Sequence, residues 1–304
     1  MKNFVLIGGA GYIAPRHFRA IRETGNTLSA VFDIADSLRG LDEYFPEAEF
    51  FPGAAYLGDF LTQQKEQGTP VDYVVVCSPN HLHKEHILAG LSAGAEVISE
   101  KPVVVHPADL EILAAAEKET GKKVYTIMQL RLHPAIKALK QKVEAAPAGK
   151  EYQVQLQYIT ARGRWYHKSW KGNPAKSGGI AVNIGIHLFD MLHWIFGGVK
   201  ETRVRSCNDI TAGGRLVLEK AAVDWTLSID AAALPAAVAE KGKKVYRVMK
   251  VDDEVLEFSE GFADLHTSSY REILSGRGFG LDEVRSSLLL ANEIGLLSLH
   301  SVRS

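Results

Sequence analysis

The stretch from Val71 to Val105 constrains the fold of this chain more than any other. Its residues, VDYVVVCSPNHLHKEHILAGLSAGAEVISEKPVVV, read as strand, polar turn, helix and strand, ending on Glu100-Lys101-Pro102. Val71–Cys77 is a continuous apolar run rich in β-branched residues, the pattern of a parallel strand covered on both faces. Ser78-Pro79-Asn80 breaks the run, Leu82–Ala93 carries apolar residues at helical spacing, and Ala95–Ser99 is a second strand. Two parallel strands joined by a helix imply an open sheet, and such sheets bind ligands outside the carboxyl ends of their strands. Lys101 falls at such an end. Lys-Pro is also ordinary turn punctuation, so the rest of the chain has to decide its role.

The same grammar fills the first 125 or so residues. Phe4–Ile7 is a strand, Gly8–Ala14 turns from it into a helix reaching Thr24, and Leu28–Phe32 is the next strand. Gly9, Gly11 and Ala14 fit the G-x-G-x-x-G/A dinucleotide fingerprint: a tight turn, close backbone approach to a pyrophosphate, and close helix–strand packing. Asp33, 22 residues after Gly11, stands where an acid hydrogen-bonds the adenosine ribose and repels a 2′-phosphate, which favours NAD over NADP. Helices over Leu38–Phe45, Tyr56–Glu66 and His106–Thr120 and strands Glu49–Phe51 and Val124–Met128 complete a doubly wound α/β sheet. With 304 residues the chain exceeds one core, and the boundary is placed at 123/124.

Beyond it the pattern changes to α+β. Pro134–Val143 is a helix. Tyr152–Thr160 alternates strictly, with Tyr152, Val154, Leu156, Tyr158 and Thr160 on one face and Gln153, Gln155, Gln157 and Ile159 on the other, as in a strand with one covered face. Further strands are expected near 202–207, 215–218, 223–229, 246–251 and 254–258, forming a largely antiparallel sheet. Helices are expected from Gly178-Gly179 to Phe196, over Thr267–Ser275 and over Asp282–Leu299.

Charge excludes some partners. Thirty-five basic residues against 36 acidic ones leave a net −1, so no global field recruits nucleic acid or an anionic membrane. Two cysteines, Cys77 and Cys207, suit a reducing cytoplasm better than a disulfide framework. No run offers the roughly 18 consecutive apolar residues of a membrane helix.

Two side chains offer the proton chemistry that alcohol oxidation needs. His187 lies four residues after Asn183 on one helix face, and imidazole titrates near neutral pH. Lys101 can also serve if its environment lowers its pKa. A lone helix histidine is usually structural, so His187 needs support from elsewhere. His81, His83 and His86 splay over different helix faces without a carboxylate or thiolate set, and no metal site is expected. Arg162–Lys176, RGRWYHKSWKGNPAK, is a basic, aromatic loop.

Taken together, I-G-G-A-G-Y-I-A-P-R-H, S-P-N-H-L-H, S-E-K-P and S-G-G-I-A-V-N-I-G-I-H-L-F-D resemble the glucose-fructose oxidoreductase / inositol dehydrogenase / MocA family along the whole chain. The resemblance implies an N-terminal Rossmann domain and a C-terminal domain whose open sheet makes homo-oligomer contacts, in a dimer or tetramer. It implies NAD contacts at Gly9, Gly11, Tyr12, Ile13, Asp33, Ser78, Asn80, His83, Glu100 and Lys101, with Lys101 and His187 beside the reacting carbinol. Where many members carry aspartate, this chain has Asn183, which can orient a ligand but cannot act as a base.

Q-L-R-L-H-P, T-A-R-G-R-W-Y-H-K-S-W-K-G, F-A-D-L-H-T-S-S-Y and G-R-G-F-G-L-D-E-V-R further resemble the UDP-N-acetyl-2-amino-2-deoxyglucuronate 3-dehydrogenases of lipopolysaccharide sugar synthesis. That likeness implies reoxidation of NADH by 2-oxoglutarate. A UDP-sugar acid carries a pyrophosphate and a carboxylate, which call for arginine, lysine and aromatic surfaces. Arg131, Arg162, Arg164, Trp165, Tyr166, Lys168, Trp170 and Lys171 supply them. A dehydrogenase of a free polyol and a catalytically silent NAD-binding regulator remain alternatives, and Lys101 and His187 remain alternatives for the base.

Overall fold

The computed structural model describes residues 1–301. The chain forms two compact units, Met1–Gln129 with Ala263–Arg285, and Leu130–Phe262 with the residues from Ser286 onward.

The first unit is built on six parallel strands: β1 (Asn3–Ile7), β2 (Thr27–Phe32), β3 (Glu49–Phe51), β4 (Tyr73–Val76), β5 (Glu96–Ser99) and β6 (Val124–Thr126). Their order is β3-β2-β1-β4-β5-β6, so the chain reverses direction across the sheet between β1 and β4. That switch point opens a crevice at the carboxyl ends of the strands. Helices α1 (Ala14–Glu23), α2 (Leu57–Glu66), α3 (His83–Ser92) and α4 (Asp109–Thr120) connect the strands. The central strands are largely apolar because helices cover both faces: Phe4, Val5 and Leu6 of β1 and Val74, Val75 and Val76 of β4 are wholly buried. The helix expected over Leu38–Phe45 shrinks to one turn, Leu41–Tyr44, because Gly40 just before it is left-handed (φ 81°).

The sequence boundary at 123/124 is corrected in two ways. β6 pairs with β5 through Val97–Val124, so it is part of the first sheet. A later segment also returns: α7 (Leu265–Leu274) packs on α1 and adds Tyr270 and Ile273 to the core that holds Phe4, Phe18 and Ile21. Polar ties fix the pairing, Arg19 to Asp264 at 2.8 Å and Thr267 Oγ1 to Glu23 at 2.8 Å. Amphipathic periodicity marks a helix but does not say which core it covers.

The second unit carries α5 (Pro134–Glu144), β7 (Tyr152–Thr160), α6 (Ile186–Phe196), β8 (Val199–Cys207), β9 (Thr211–Leu218), β10 (Ala221–Ser228), β11 (Val245–Val251) and β12 (Glu254–Glu257). The sheet order is β12-β11-β7-β10-β9-β8, antiparallel except where β7 runs parallel to β10. β7 follows its alternation through Tyr158, with Tyr152, Val154, Leu156 and Tyr158 buried and Gln153, Gln155 and Gln157 exposed, but Ile159, expected on the open face, is buried as well, because the end of the strand is covered on both sides. The helix expected from Gly178 to Phe196 is present and opens at Gly179. Pro174–Ser177 forms one turn, Gly178 and Gly179 are left-handed (φ 81° and 72°), and a wide π turn over Ala181–Gly185 leads into α6. The helical run Pro174–Phe196 is long and apolar enough to cross a membrane, against the sequence expectation, but 83% of its most apolar window is buried, as in a core helix.

Candidate active site

The end of β1 is shaped for close approach. Gly8 takes a left-handed φ of 92°, and a Cβ there would sit 2.6 Å from the backbone of Cys77. The tight turn assigned from sequence to Gly9 thus belongs to Gly8. Gly9 is needed for another reason, since its Cβ would stand 2.2 Å from Val31 Cγ1. Gly11 N donates to Gly8 O at 3.1 Å and closes the loop onto α1, whose N-terminus faces any bound anion favourably. Asp33 accepts from Ala10 N and Ala35 N, both at 2.9 Å, so the strand-end acid braces the glycine loop. Tyr12 and Ile34 flank this cradle with 87% and 95% of their surfaces exposed. Large apolar side chains left in water beside a glycine cradle suit an adenine dinucleotide, which would cover them. Ile34 was not singled out from sequence, although an apolar residue directly after a strand-end acid is a readable signal.

Asp33→Ala is expected to narrow the preference for NAD over NADP, by removing both a ribose acceptor and a charge that repels a 2′-phosphate. It should also weaken binding of both cofactors, because Ala10 N loses its partner. Paired kcat/KM values decide it, and an unchanged ratio would refute the role.

At the ends of β4 and β5 the expected residues come together around Lys101. Ser78 Oγ is 2.8 Å from His86 Nδ1. His83, wholly enclosed, sets Nε2 2.8 Å from Ser78 O and Nδ1 2.8 Å from Pro102 O, and Lys101-Pro102 is a cis peptide. Glu100 is turned inward: Oε1 lies 3.0 Å from His17 Nε2 and 3.0 Å from His266 Nε2, and Oε2 accepts from Lys101 N at 3.3 Å. His17 Nδ1 lies 2.8 Å from the Tyr270 hydroxyl. Burial pushes the His17 and His83 imidazoles down, and His86 to about 4. Burial alone would push the Glu100 carboxyl up, but the hydrogen bonds from His17 and His266 outweigh it and hold the group well below the usual carboxylate range. The expected cofactor contacts His83 and Glu100 therefore spend these side-chain atoms on protein partners. His17 and His266 carried no sequence-based role, although both lie inside segments that carry the family resemblance.

In the second unit, Asn183 Nδ2 donates to Tyr166 Oη at 2.8 Å, which ties the basic loop to the helix that carries His187. All three side chains are buried, Tyr166 in the turn Trp165–Lys168. Burial pushes the Tyr166 hydroxyl up and the Lys171 amine down, and Arg162 lowers Lys171 further. Lys171 stacks on Trp170 at 4.1 Å. Two cations crowded in this way favour an anion beside them. Arg162, Arg164, Trp165 and Lys168 lie on the exposed side of the loop.

Arg131, expected among the substrate-binding cations, is placed differently. Its Nε and Nη2 grip Asp190 at 2.9 and 2.6 Å in a fork that is almost completely buried, and Ser287 Oγ adds a bond to Asp190 at 2.9 Å. The sequence displays the charge but not the partner 59 positions away.

A parallel sheet ordered 3-2-1-4-5-6, a glycine cradle at its switch point and an acid ending β2 define a dinucleotide-binding oxidoreductase. Residues 2–128 match the oxidoreductase family with an NAD-binding Rossmann fold and residues 140–217 its C-terminal alpha/beta domain. The chain belongs to this family, the glucose-fructose oxidoreductase / inositol dehydrogenase / MocA family. It is 45% identical to the WlbA (WbpB) dehydrogenase of Thermus thermophilus, with a TM-score of 0.93 and coverage of 98% of this chain and 96% of the other, in a crystal with NAD and alpha-ketoglutarate. The same enzyme with NAD and UDP-GlcNAcA gives a TM-score of 0.92, with coverage of 97% and 95%. Among curated proteins, the D-glucoside 3-dehydrogenase of Escherichia coli is 27% identical over 68% of this chain and 58% of its own length. The chain spans about half the length of the curated relatives it matches.

Proposed function

We propose that this protein oxidises the 3-hydroxyl of UDP-N-acetyl-2-amino-2-deoxyglucuronate, with NAD as hydride acceptor and 2-oxoglutarate regenerating the oxidised cofactor. The hydrogen bond from Asn183 to Tyr166 carries this reading, because it joins the basic, aromatic loop to the helix of His187. A polyol dehydrogenase has no use for such a loop. The similar enzyme from Thermus thermophilus, crystallised with the same sugar nucleotide and with alpha-ketoglutarate, supports it.

Lys101 and His187 are the proton-handling residues, and one of them takes the hydroxyl proton as the carbinol carbon is oxidised. Asn183 orients, since an amide cannot serve as the base. Arg162 and Lys171 pair with the anionic groups of the substrate, which relieves their mutual repulsion, and Arg164, Trp165 and Lys168 border the same loop. We place the protein in the cytoplasm as a homodimer or homotetramer, with the exposed glutamine face of β7 in the subunit contact.

A ligand that binds the native state raises Tm by mass action, by about 2.7 kcal/mol of stability at 100 times Kd. With NAD present, UDP-GlcNAcA and UDP itself are expected to raise Tm and myo-inositol is not. Arg162→Ala together with Lys171→Ala should remove the UDP response. A response to inositol and none to UDP would overturn the reading.

A further inference from the structure

Lys101 lies between two residues that buried histidines hold in place. On its amino side, Glu100 Oε1 meets His17 Nε2 from α1 and His266 Nε2 from α7, each at 3.0 Å, and Oε2 accepts from Lys101 N at 3.3 Å. Tyr270, one helical turn after His266, lies 2.8 Å from His17 Nδ1. The protons balance with both histidines neutral. The Tyr270 hydroxyl donates to His17 Nδ1, so His17 keeps its Nε2 proton for Glu100, and His266 donates its own. On the carboxyl side, His83 of α3 lies 2.8 Å from Ser78 O through Nε2 and 2.8 Å from Pro102 O through Nδ1, and as a neutral ring it donates its one proton to one of these carbonyls. The Glu100 side chain is thus tied to α1 and α7, and the backbone at 102 lies against the His83 ring of α3.

We propose that His17, His266 and His83 are positioning residues that hold Lys101 in register for proton transfer, acting through Glu100 on one side and Pro102 on the other. This rests on the reading of Lys101 as a proton-handling residue. Packing alone does not explain the arrangement. A carboxylate buried at such a place is costly unless hydrogen-bonded, and apolar side chains would fill the same space without that penalty. His17, Glu100 and His266 could also be read as metal ligands, their ligand atoms lying within 4.8 Å of one another. Closed zinc sites use four ligands, whereas here two ring nitrogens share one oxygen at hydrogen-bond distance, and the hydrogen bonds use every proton the neutral rings carry.

The test compares His266→Leu with His266→Gln, whose amide nitrogen reaches where Nε2 stood. Readouts are kcat and KM with UDP-GlcNAcA, Kd for NAD, and the pH profile of Lys101 acetylation by acetic anhydride, followed by mass spectrometry. His266→Leu is expected to lower kcat about 10- to 100-fold with KM and Kd unchanged, the scale of a small misplacement of a reacting group. The acetylation midpoint should move as well, and His266→Gln should restore both. Should His266→Leu fail to fold, Tyr270→Phe removes only the hydroxyl that orders His17, and it too is expected to lower kcat. Full kcat with an unmoved acetylation profile in the folded variant overturns the proposal, as does stoichiometric zinc that is lost with His266. If the wild type does not oxidise UDP-GlcNAcA, the proposed function fails on its own. The acetylation profile then decides positioning: a shift supports it and no shift overturns it.

Discussion

Lys101→Ala is expected to lower kcat by about 10²–10⁴-fold, the usual contribution of a placed acid or base, while NAD affinity and Tm stay near wild type. The side chain is half-buried at the end of β5, outside the core, so its loss leaves no cavity. His187→Ala is expected to lower kcat on the same scale. It differs in that His187 is buried on α6, so some loss of Tm accompanies it. The pH dependence of kcat separates the two: the variant that removes the base loses the acidic limb of the profile, and the other keeps it. Asn183→Asp retains activity if Asn183 only orients, though a carboxylate there meets the Tyr166 hydroxyl as an acceptor rather than a donor. Full activity in either alanine variant would return that residue to a structural role.

The largest effect on stability is expected at Asp190. Its carboxylate takes both arms of the Arg131 fork and the Ser287 hydroxyl, with only 1% of the residue exposed. Asp190→Ala leaves a guanidinium buried beside an uncompensated hole, and breaking a buried pair in this way costs about 3–5 kcal/mol. For a unit of this size that lowers Tm by about 6–20 °C. Replacing the pair together, Arg131→Met with Asp190→Leu, is expected to recover much of the loss, because no charge is then left unpaired. If Asp190→Ala melted like the wild type, the fork would contribute little to the fold. A Tm unaffected by Asp190→Ala but a raised KM in Arg131→Ala would reinstate Arg131 as a substrate ligand.

What could be read from the sequence was what repeats locally. The alternation Tyr152–Thr160 marks β7 with its bounds and its covered face, because a period of two encodes both. The glycines and Asp33 mark a dinucleotide cradle, because backbone clearance and one acid at a fixed remove suffice to specify it. What escaped depends on partners far away in the chain. Nothing in the spacing joins Glu100 to His266, 166 positions on, or Arg131 to Asp190. The helix from Gly179 to Phe196 was legible, but its π turn over Ala181–Gly185 was not, since the apolar pattern carries through a change of hydrogen bonding that only the backbone reveals. The return of α7 to the first unit was hidden for a related reason: Tyr270 and Ile273 are apolar in either core.

The most direct test incubates purified protein and NAD with UDP-GlcNAcA and an excess of 2-oxoglutarate over protein. Products are followed by NMR and mass spectrometry. Many turnovers are expected, with a 3-keto sugar nucleotide and 2-hydroxyglutarate formed in equal amounts and little free NADH. No oxidation of the sugar nucleotide, with inositol or another free polyol oxidised instead, would contradict it.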